Sequence, residues 1–368
     1  MALFFCALWS CSAEPEAQEA AGGAKTAPLM EIRTLETLQL PWARILEGGS
    51  RSLPPIGHLV EFQQYRRKVR FQVSDGRNAL FRCDRIYGLS NLDLHSCIEL
   101  PDRRCSKVEL RDEAGRLLIY PNHPNVVPLL TAREWYEYLQ LPVIINGGWF
   151  LAREYRYFSY RYPCSYPKGV HISHGEILSE AEGVDRVGTR ASQFDALVVK
   201  RDCSGSERLE IVDRPRQGDL QGALHALAGF RLLERGQHSQ RMFEESNNPW
   251  TSKARTAVAF NSDTAWFVVV QPGPHSPGGG LKAQELATLL HELGAEEAIN
   301  FDNGGSSQLY SRHPITREVV ESRRGDLLPR DTRYLRTPGL LAPEDENAIE
   351  QEEVFRPVPN IIGAYPLP

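Results

Sequence analysis

The chain has 368 residues, of which 41% are hydrophobic and 24% are charged, proportions close to those of ordinary globular proteins. That much apolar surface can offset the entropy lost on folding, which argues against a chain that is disordered throughout. The net charge of −5 argues against a general nucleic-acid-binding protein, and we expect no nucleic-acid partner.

The N-terminus is apolar and predicts an export signal. Its apolar run is shorter than the roughly 20 residues that span a bilayer, but it matches the core of a secretory signal. Residues 8–11 (LWSC) resemble a bacterial lipobox, in which Cys11 would be lipidated and become the first residue of the mature protein. The alternative is an apolar N-terminus without a targeting role, because no Lys or Arg precedes the run.

This interpretation divides the N-terminal region into two parts. We expect residues 1–11 to be the signal and lipobox segment, and the small, polar and acidic residues that follow, 12–40, to be a flexible tether. The protein would then be an exported lipoprotein in the periplasm or on the outer surface of a bacterium, held to the membrane only by its N-terminal lipid anchor.

The cysteines fit export but do not define a pairing. Two of the seven, Cys6 and Cys11, belong to the signal segment, and an exported chain would allow the other five to form disulfides. Five is an odd number, so at least one thiol has no partner within the chain. The cysteines and histidines lack zinc-finger spacing, and the pair His171 and His174 is not expected to bind a metal.

Residues 41–366 predict one domain of the α+β (or α/β) class, with a mixed β-sheet core and a few packing helices. The first part, 41–130, contains short apolar runs separated by turn signals, as is typical of strands. The core, 131–366, begins with a helix in which Thr131 is the N-cap and Glu134 takes the capping-box position. The helix is followed by an apolar strand over 142–145. Residues 151–166 are rich in aromatic residues and arginine, and they form either a pair of strands or a groove that binds a ligand.

Apolar runs predict further strands in the second half of the chain, at 169–178 (a hairpin), 194–199, 209–212, 229–233, 257–260, 265–270 and 298–301. A helix is predicted over 220–227, and a clearer one over 283–293, where four leucines form one apolar stripe. Gly294 is expected to end the second helix. The arginine-rich residues 311–336 and the acidic residues 343–353 are typical of solvated loops.

The strongest candidate for a functional site is the loop after the last predicted strand, residues 302–307 (DNGGSS). The strand would deliver the carboxylate of Asp302 to its end, and two glycines would let the backbone approach a ligand. Consecutive N–H groups in such a turn can bind an anion, and Ser306 and Ser307 add hydroxyl groups. The pattern fits a sugar that carries a phosphate; the alternative is a tight turn in which Asp302 accepts backbone hydrogen bonds.

Two other stretches carry ligand-binding residue types. Residues 146–150 (NGGWF) offer the amide of Asn146, access at Gly147 and Gly148, and the ring of Trp149 for stacking on a sugar. The alternative is a bulge or hairpin turn whose aromatic residues belong to the core.

In the other stretch, residues 253–257 (KARTA), Arg255 enters a strand and its planar guanidinium could bind phosphate or carboxylate. The alternative for Arg255 is a surface ion pair.

These stretches, in this order along the chain, resemble the phosphodiester glycosidase family. The matching segments extend over most of residues 56–366 and are 145–150 (INGGWF), 167–177 (PKGVHISHGEI), 254–260 (ARTAVAF), 278–310 (GGGLKAQELATLLHELGAEEAINFDNGGSSQLY) and 355–363 (FRPVPNIIG). The resemblance implies a phosphodiester glycosidase-like fold. It also implies hydrolysis of a sugar-1-phosphodiester, such as an ester of N-acetylglucosamine 1-phosphate, in the cell envelope or outside the cell.

The resemblance also implies roles for individual residues. Asp302 would stabilise the positive charge that develops on the sugar, or act as nucleophile or base. Asn146 and Trp149 would orient the sugar. The expected phosphate ligands are Arg255, Arg356 and the N–H groups of Gly304, Gly305 and Ser306. The resemblance implies no cofactor; a divalent cation at Asp302 is conceivable, but no ligand spacing supports it.

Two positions depart from the family pattern. Lys282 stands where the family helix has a capping Thr, so the role of Glu285 is open. It is either a catalytic or substrate-binding carboxylate or, as we favour, an acid that stabilises the first turn. Asn303 separates Asp302 from the glycines that follow it directly in the family. This insertion leaves a second hypothesis open, a non-catalytic surface lipoprotein that binds envelope polysaccharide or exopolysaccharide.

Overall fold

The computed structural model describes residues 28–46, 55–80, 105, 110–111, 117–119, 126–150, 164–179, 193–243, 250–271, 279–312, 318–323, 325–329, 351–356 and 358–367. The predicted signal segment with Cys11, and most of the aromatic, arginine-rich stretch after residue 150, lie outside these residues. Among the described residues, no helix has both the length and the apolar character needed to cross a membrane.

Short strands account for most of the secondary structure. The strands are β1 (Met30–Thr34), β2 (Ile56–Phe62), β3 (Val69–Val73), β4 (Leu110–Arg111), β5 (Leu117–Ile119), β6 (Val127–Pro128), β7 (Val143–Asn146), β8 (Cys164–Ser165), β9 (His171–Ser173), β10 (Glu176–Ser179), β11 (Asp195–Arg201), β12 (Glu207–Val212), β13 (Ala223–Glu234), β14 (Gln237–His238), β15 (Arg255–Phe260), β16 (Ala265–Gln271), β17 (Glu297–Asn300), β18 (Gln308–Arg312), β19 (Val319–Arg323), β20 (Gly325–Pro329), β21 (Gln351–Phe355) and β22 (Ile361–Pro366). The α-helices are α1 (Trp42–Ile45), α2 (Tyr65–Lys68), α3 (Ala132–Leu139) and α4 (Ala283–Glu292).

Two antiparallel sheets form the centre of the fold. The larger has 11 strands, eight of them in the order β1-β2-β16-β15-β17-β13-β11-β12, with the β9–β10 hairpin and β14 attached to β13. The smaller has five strands in the order β19-β18-β7-β22-β3. The fold is therefore dominated by strands with few helices, and the expectation of an α+β class with a mixed sheet is correct only in part.

The apolar core lies in layers. Side chains from both sheets, such as Phe71 of the smaller and Phe267 of the larger, form one cluster between them. The leucine stripe of α4, including Leu286, covers the outer face of the larger sheet. Trp135 of α3 packs in a cluster on the outer face of the smaller sheet. The order of layers is therefore helix, sheet, sheet, helix.

Several local predictions are confirmed. Thr131 caps α3 and its hydroxyl accepts a hydrogen bond from the backbone N–H of Glu134. The Glu134 carboxylate in turn accepts one from the Thr131 N–H at 2.9 Å. Helix α4 ends at Glu292, and Gly294 follows it with a φ of +88°. The β9–β10 hairpin turns at His174 and Gly175, both with positive φ.

Three predictions are wrong. The tether was expected to reach residue 40, but β1 pairs with β2 and Leu35 is fully buried, so the folded part begins earlier. The helix predicted over 220–227 is wrong because residues 223–227 belong to β13, where pairing with β11 and β9 outweighs the helix propensity of the Ala and Leu residues. The charged residues predicted as loops contain β19, β20 and β21.

A disulfide fixes one part of the pairing that the sequence left open. Cys105 and Cys164 are bonded, with their Cα atoms 5.7 Å apart, and both are buried. Cys203 is also disulfide-bonded.

Candidate active site

The candidate site lies where the two sheets meet at one edge. In the larger sheet β17 runs antiparallel to β15, and in the smaller sheet β7 runs antiparallel to β22, so the end of each strand lies beside the start of its partner. The N–H of Asp302, just after β17, donates to the carbonyl oxygen of Gly147, just after β7, at 3.1 Å. The structure thus brings together the three stretches singled out in the sequence and the segment before β22.

Asp302 is the carboxylate of this site. One of its side-chain oxygens accepts a hydrogen bond from the N–H of Asn303 at 2.9 Å. Burial raises the pKa of the Asp302 carboxyl, while the Ser306 hydroxyl, Arg356, the Asn303 N–H and Lys253 oppose that rise. The carboxyl group therefore lies in a desolvated position with two cations nearby, a combination that is common at functional sites.

Lys253 is a site residue that the sequence analysis did not select. It pairs through its backbone with Leu281, and its side chain is partly buried. Burial and the charge of Arg255 lower the pKa of Lys253 to about 8, with Asp302 acting in the opposite direction. In the sequence, the only indication of this role is that Lys253 begins the stretch 253–257 (KARTA). A single Lys two residues before an Arg forms no pattern that identifies a binding site.

Arg255 is fully buried rather than open to a ligand. Its Nε donates to the carbonyl oxygen of Leu281 at 2.7 Å and its Nη2 to that of Thr251 at 3.1 Å. Burial lowers the pKa of Arg255 to about 10, and the charge of Glu285 opposes this. These contacts hold the segment that carries Lys253, whereas the cations that act on Asp302 are Arg356 and Lys253.

Glu285 takes the structural position that we favoured. It is buried, and its carboxylate accepts a hydrogen bond from the N–H of Lys282 at 2.7 Å. Lys282 supplies no side-chain cap, so Glu285 satisfies a backbone donor at the N-terminus of α4.

Asn146 contacts the protein through its whole side-chain amide. Its Nδ2 lies 2.8 Å from the carbonyl oxygen of Asp302 and 3.4 Å from that of Gly147. Its Oδ1 accepts from the Thr256 hydroxyl at 2.6 Å and from the Gln308 N–H at 3.0 Å. An Asn side chain makes about four hydrogen bonds. Asn146 therefore holds the site together, and its expected role in orienting the sugar stays a prediction.

The neighbouring glycines and Trp149 are also part of the packing. A Cβ on Gly147 would lie 2.4 Å from the Oδ1 of Asn360, and one on Gly148 would lie 2.5 Å from the carbonyl oxygen of Ala228. The Trp149 ring stacks on Phe194 with centroids 5.6 Å apart and meets the edge of Phe230 at 4.9 Å. The glycines therefore allow close backbone packing, and Trp149 is held by aromatic neighbours of the core.

The glycine-rich loop differs from the expected anion nest at its first glycine. Gly304 has a φ of +67°, but its N–H donates to the carbonyl oxygen of Ala254 at 2.9 Å and is not directed at a ligand. The Ser306 and Ser307 hydroxyl groups are buried and make no hydrogen bond of normal geometry among the described residues. Gly305 is buried as well, and the role of its N–H and that of Ser306 in phosphate binding stays a prediction.

Arg356 and Gln308 complete the site. Arg356 is partly buried, and its charge favours the ionised form of Asp302. The side-chain amide of Gln308 donates to the backbone carbonyl oxygen of Arg356 at 2.5 Å. Among the described residues, no group of three or more His, Cys, Asp or Glu side chains is arranged to bind a metal ion.

Comparison with known proteins places the chain in a family. The model of the phosphodiester glycosidase family matches residues 140–365. No curated protein sequence matches the chain.

The solved structures that resemble the chain include three of low sequence identity. The zebrafish N-acetylglucosamine-1-phosphodiester alpha-N-acetylglucosaminidase catalytic domain, auto-inhibited by its pro-peptide, is 14% identical, with a TM-score of 0.49 over 94% of this chain and 86% of that one. A hypothetical protein from Synechocystis is 12% identical, with a TM-score of 0.42 over 91% of this chain and 61% of that one. A presumed exported protein from Burkholderia pseudomallei is 11% identical, with a TM-score of 0.46 over 88% and 76%. The family model matches more than half of the residues of this chain, and the chain therefore belongs to the phosphodiester glycosidase family.

Proposed function

We propose that this protein hydrolyses the bond between the anomeric carbon of a sugar and the phosphate of a phosphodiester. The observation that carries the proposal is the grouping of one desolvated carboxyl group, Asp302, with two cations, Lys253 and Arg356, where the two sheets meet. When the bond breaks, positive charge develops on the sugar and negative charge on the departing phosphate. The Asp302 carboxylate can stabilise the positive charge on the sugar, and Lys253 and Arg356 can stabilise the negative charge on the phosphate.

Asp302 is the residue that acts on the sugar in this proposal. Its carboxylate stabilises the oxocarbenium-like charge, or attacks the anomeric carbon, or activates the water that does so. Desolvation strengthens the first of these roles, because charges interact more strongly where water is excluded. Water supplies the oxygen of the free sugar, and the phosphate departs as a phosphomonoester.

Lys253 and Arg356 bind the phosphate oxygens. A phosphate leaves readily, so the main requirement is to neutralise its charge rather than to protonate it strongly. Arg255 contributes by holding the carbonyl oxygens of Thr251, two residues before Lys253, and of Leu281, the residue that pairs with Lys253. In this proposal Lys253 takes the place of Arg255, which the sequence predicts as a phosphate ligand together with Arg356 and the N–H groups of Gly304, Gly305 and Ser306.

The polysaccharide-binding alternative rested on the insertion of Asn303. In the structure, the N–H of Asn303 donates to the Asp302 carboxylate, and Gly304 still takes a positive φ. The inserted residue thus supports the carboxylate instead of displacing it, which favours the enzyme over the binding module.

Incubation with UDP-N-acetylglucosamine, with analysis of every product, tests the proposal. Hydrolysis at the sugar carbon releases free N-acetylglucosamine and UDP, whereas cleavage of the pyrophosphate would release UMP and the sugar phosphate. The Asp302→Asn variant is the matched control and should release neither sugar nor UDP. Saturable binding without any product would instead support the polysaccharide-binding lipoprotein.

We also propose that the protein is exported and anchored through a lipid on Cys11. The buried Cys105–Cys164 disulfide and the disulfide-bonded Cys203 support export, since disulfides persist mainly outside the reducing cytoplasm. Membrane fractionation of the wild type and of the Cys11→Ala variant tests the anchor: the variant should move to the soluble fraction, and unchanged fractionation would contradict lipidation.

A further inference from the structure

Gln308 links three parts of the site through three hydrogen bonds. Its backbone N–H donates to the Oδ1 of Asn146 at 3.0 Å, and its Nε2 donates to the carbonyl oxygen of Arg356 at 2.5 Å. Its Oε1 accepts from the N–H of Ala132, the first residue of α3, at 3.1 Å. The side chain is almost fully buried, so these contacts are made without competition from water.

The chemistry of these partners explains why the residue is Gln. The Ala132 N–H can only donate and the Arg356 carbonyl can only accept, which fixes the orientation of the amide. Glu would offer an acceptor to Ala132 but, when ionised, no donor to Arg356. Met would offer neither a strong acceptor nor a donor. Only a side chain with an acceptor and a donor on one planar group satisfies both partners.

The segment that carries Arg356 is held on both sides of that residue. On one side, Phe355 at the end of β21 pairs with Gly325 of β20. Val358 pairs with Leu130 through two backbone hydrogen bonds of 3.0 and 2.8 Å, and its carbonyl oxygen also accepts from the Trp135 ring. Gln308 donates directly to the backbone carbonyl oxygen of Arg356. Because the same Gln308 also binds Asn146, which holds the Asp302 carbonyl, one residue connects the cation and the carboxylate of the site.

We infer that Gln308 is a positioning residue that sets the distance between Arg356 and Asp302, and so determines how well the site binds the phosphate group of its substrate. This inference rests on the proposed function, in which Arg356 is a phosphate ligand. A displacement of about 1 Å can cost roughly 100-fold in rate, so loss of the bond to Arg356 should be visible in kinetics.

The main test is the Gln308→Glu variant, assayed with UDP-N-acetylglucosamine between pH 5 and pH 8. At neutral pH the ionised Glu retains the acceptor for Ala132, which a helix N-terminus favours, but repels the carbonyl oxygen of Arg356. We expect kcat/KM to fall at least about tenfold, mostly through KM. As the pH falls, the protonated Glu regains a donor, so the ratio of variant to wild-type kcat/KM should rise.

Two controls separate positioning from general damage. Gln308→Met cannot titrate, so its ratio to the wild type should stay flat with pH. Gln140→Glu makes the same change at an exposed side chain that also donates to a backbone carbonyl, at 2.8 Å, and should leave kcat/KM unchanged. A flat ratio for Gln308→Glu, or wild-type KM in both Gln308 variants, would overturn the inference.

A double-mutant cycle covers the case in which Gln308→Glu does not fold. If Gln308 acts through Arg356, then Gln308→Met should cost little further kcat/KM in an Arg356→Ala background, whereas fully additive losses would overturn the inference.

If the wild type hydrolyses no sugar-1-phosphodiester, the proposed function fails. Gln308 is then tested separately by titration with N-acetylglucosamine 1-phosphate, where Gln308→Glu should weaken binding at neutral pH and equal affinities would overturn the inference.

Discussion

The side-chain amide of Asn146 donates to the backbone carbonyl oxygen of Asp302 at 2.8 Å, across 156 positions of sequence. Asn146 ends a strand of the smaller sheet and Asp302 follows a strand of the larger one. The hydrogen bond therefore joins the sheets at the residue that carries the carboxylate, and the Oδ1 of Asn146 accepts from Thr256 and Gln308.

Replacement of Asn146 should damage stability and activity together. Asn146→Ala leaves buried donors and acceptors without partners, and each such group costs about 1–3 kcal/mol. We expect the free energy of unfolding, measured in urea, to fall by at least that amount, and kcat to fall because the backbone of Asp302 is released. Thr256→Val removes one of these bonds and should have a smaller effect; an equal loss would contradict the central role of Asn146.

Asp302→Asn, in contrast, should abolish activity while leaving the stability of the fold almost unchanged. The substitution removes a desolvated charge whose pKa is raised, so folding loses little and the melting temperature should stay within a few degrees. Turnover should fall by on the order of 10³-fold or more, as when one member of a catalytic group is removed. If the melting temperature falls as steeply as the activity, Asp302 is a turn residue rather than a catalytic one.

Lys253 should set the alkaline limit of activity. Its pKa of about 8 means that it loses its positive charge as the pH rises through 8, so kcat/KM for a phosphodiester should fall above that pH. Lys253→Arg stays charged and should move this fall to higher pH. Lys253→Met should raise KM for phosphodiesters more than for an aryl glycoside without phosphate. The same alkaline limit in Lys253→Arg and the wild type would exclude Lys253 as its cause.

Two glycines of the site should respond differently to substitution by Ala. In Gly148→Ala the new Cβ would meet the carbonyl oxygen of Ala228, so the backbone must move, at a cost of about 1–3 kcal/mol. In Gly304→Ala the space is open and only the φ of +67° is unfavourable, which costs about 1–2 kcal/mol. Thermal denaturation compares them; a more stable Gly148→Ala than Gly304→Ala would contradict the packing at Gly148.

Buried histidines should make the fold less stable in mild acid. Burial lowers the pKa of His171 to about 4 and that of His225 to about 3. For His171, the carbonyl oxygen of Ser74, 2.8 Å from the ring, favours the charged form and opposes part of this shift. Both rings are neutral in the native state at pH 5, whereas in the unfolded chain they take up protons below about pH 6.5. The unfolded state then binds more protons, so stability is full above pH 6.5 and decreases as the pH falls towards 4.

Urea denaturation at pH 7.5, 6 and 5 measures this decrease. Each histidine should contribute roughly 1–2 kcal/mol between pH 6.5 and 5. Replacement of His225 by Asn should make the dependence on pH shallower, and an unchanged slope would contradict a neutral buried His225.

Local patterns predicted the elements whose own residues decide their structure. The capping box of Thr131 and Glu134, the leucine stripe of α4 and the β9–β10 turn each depend on neighbours within a few residues. The first half of strand β13 could not be predicted in this way, because its Ala- and Leu-rich sequence favours a helix until β11 and β9 pair with it. The early strand β1 depends likewise on β2.

In the candidate site, too, some features follow from local sequence and others depend on distant parts of the chain. The sequence indicated which stretches meet, but not which side chains face the ligand. Asn146 and Arg255 combine polar chemistry with complete burial, and only the three-dimensional contacts show that their partners are backbone groups. Lys253 and Gln308 carry no motif of their own, and their roles follow from the segments that pack beside them.

The Cys105–Cys164 bond encloses the stretch of chain that contains α3, β7, Gly147 and Gly148. Recombinant production in a reducing host would leave that stretch as an open segment with two thiols that folding must still bury. Protein refolded in the presence of a thiol reductant would therefore lose native structure first in the half of the site built around Asn146. The inactivity of such a preparation would reflect the missing disulfide and would not show that the site lacks catalytic residues.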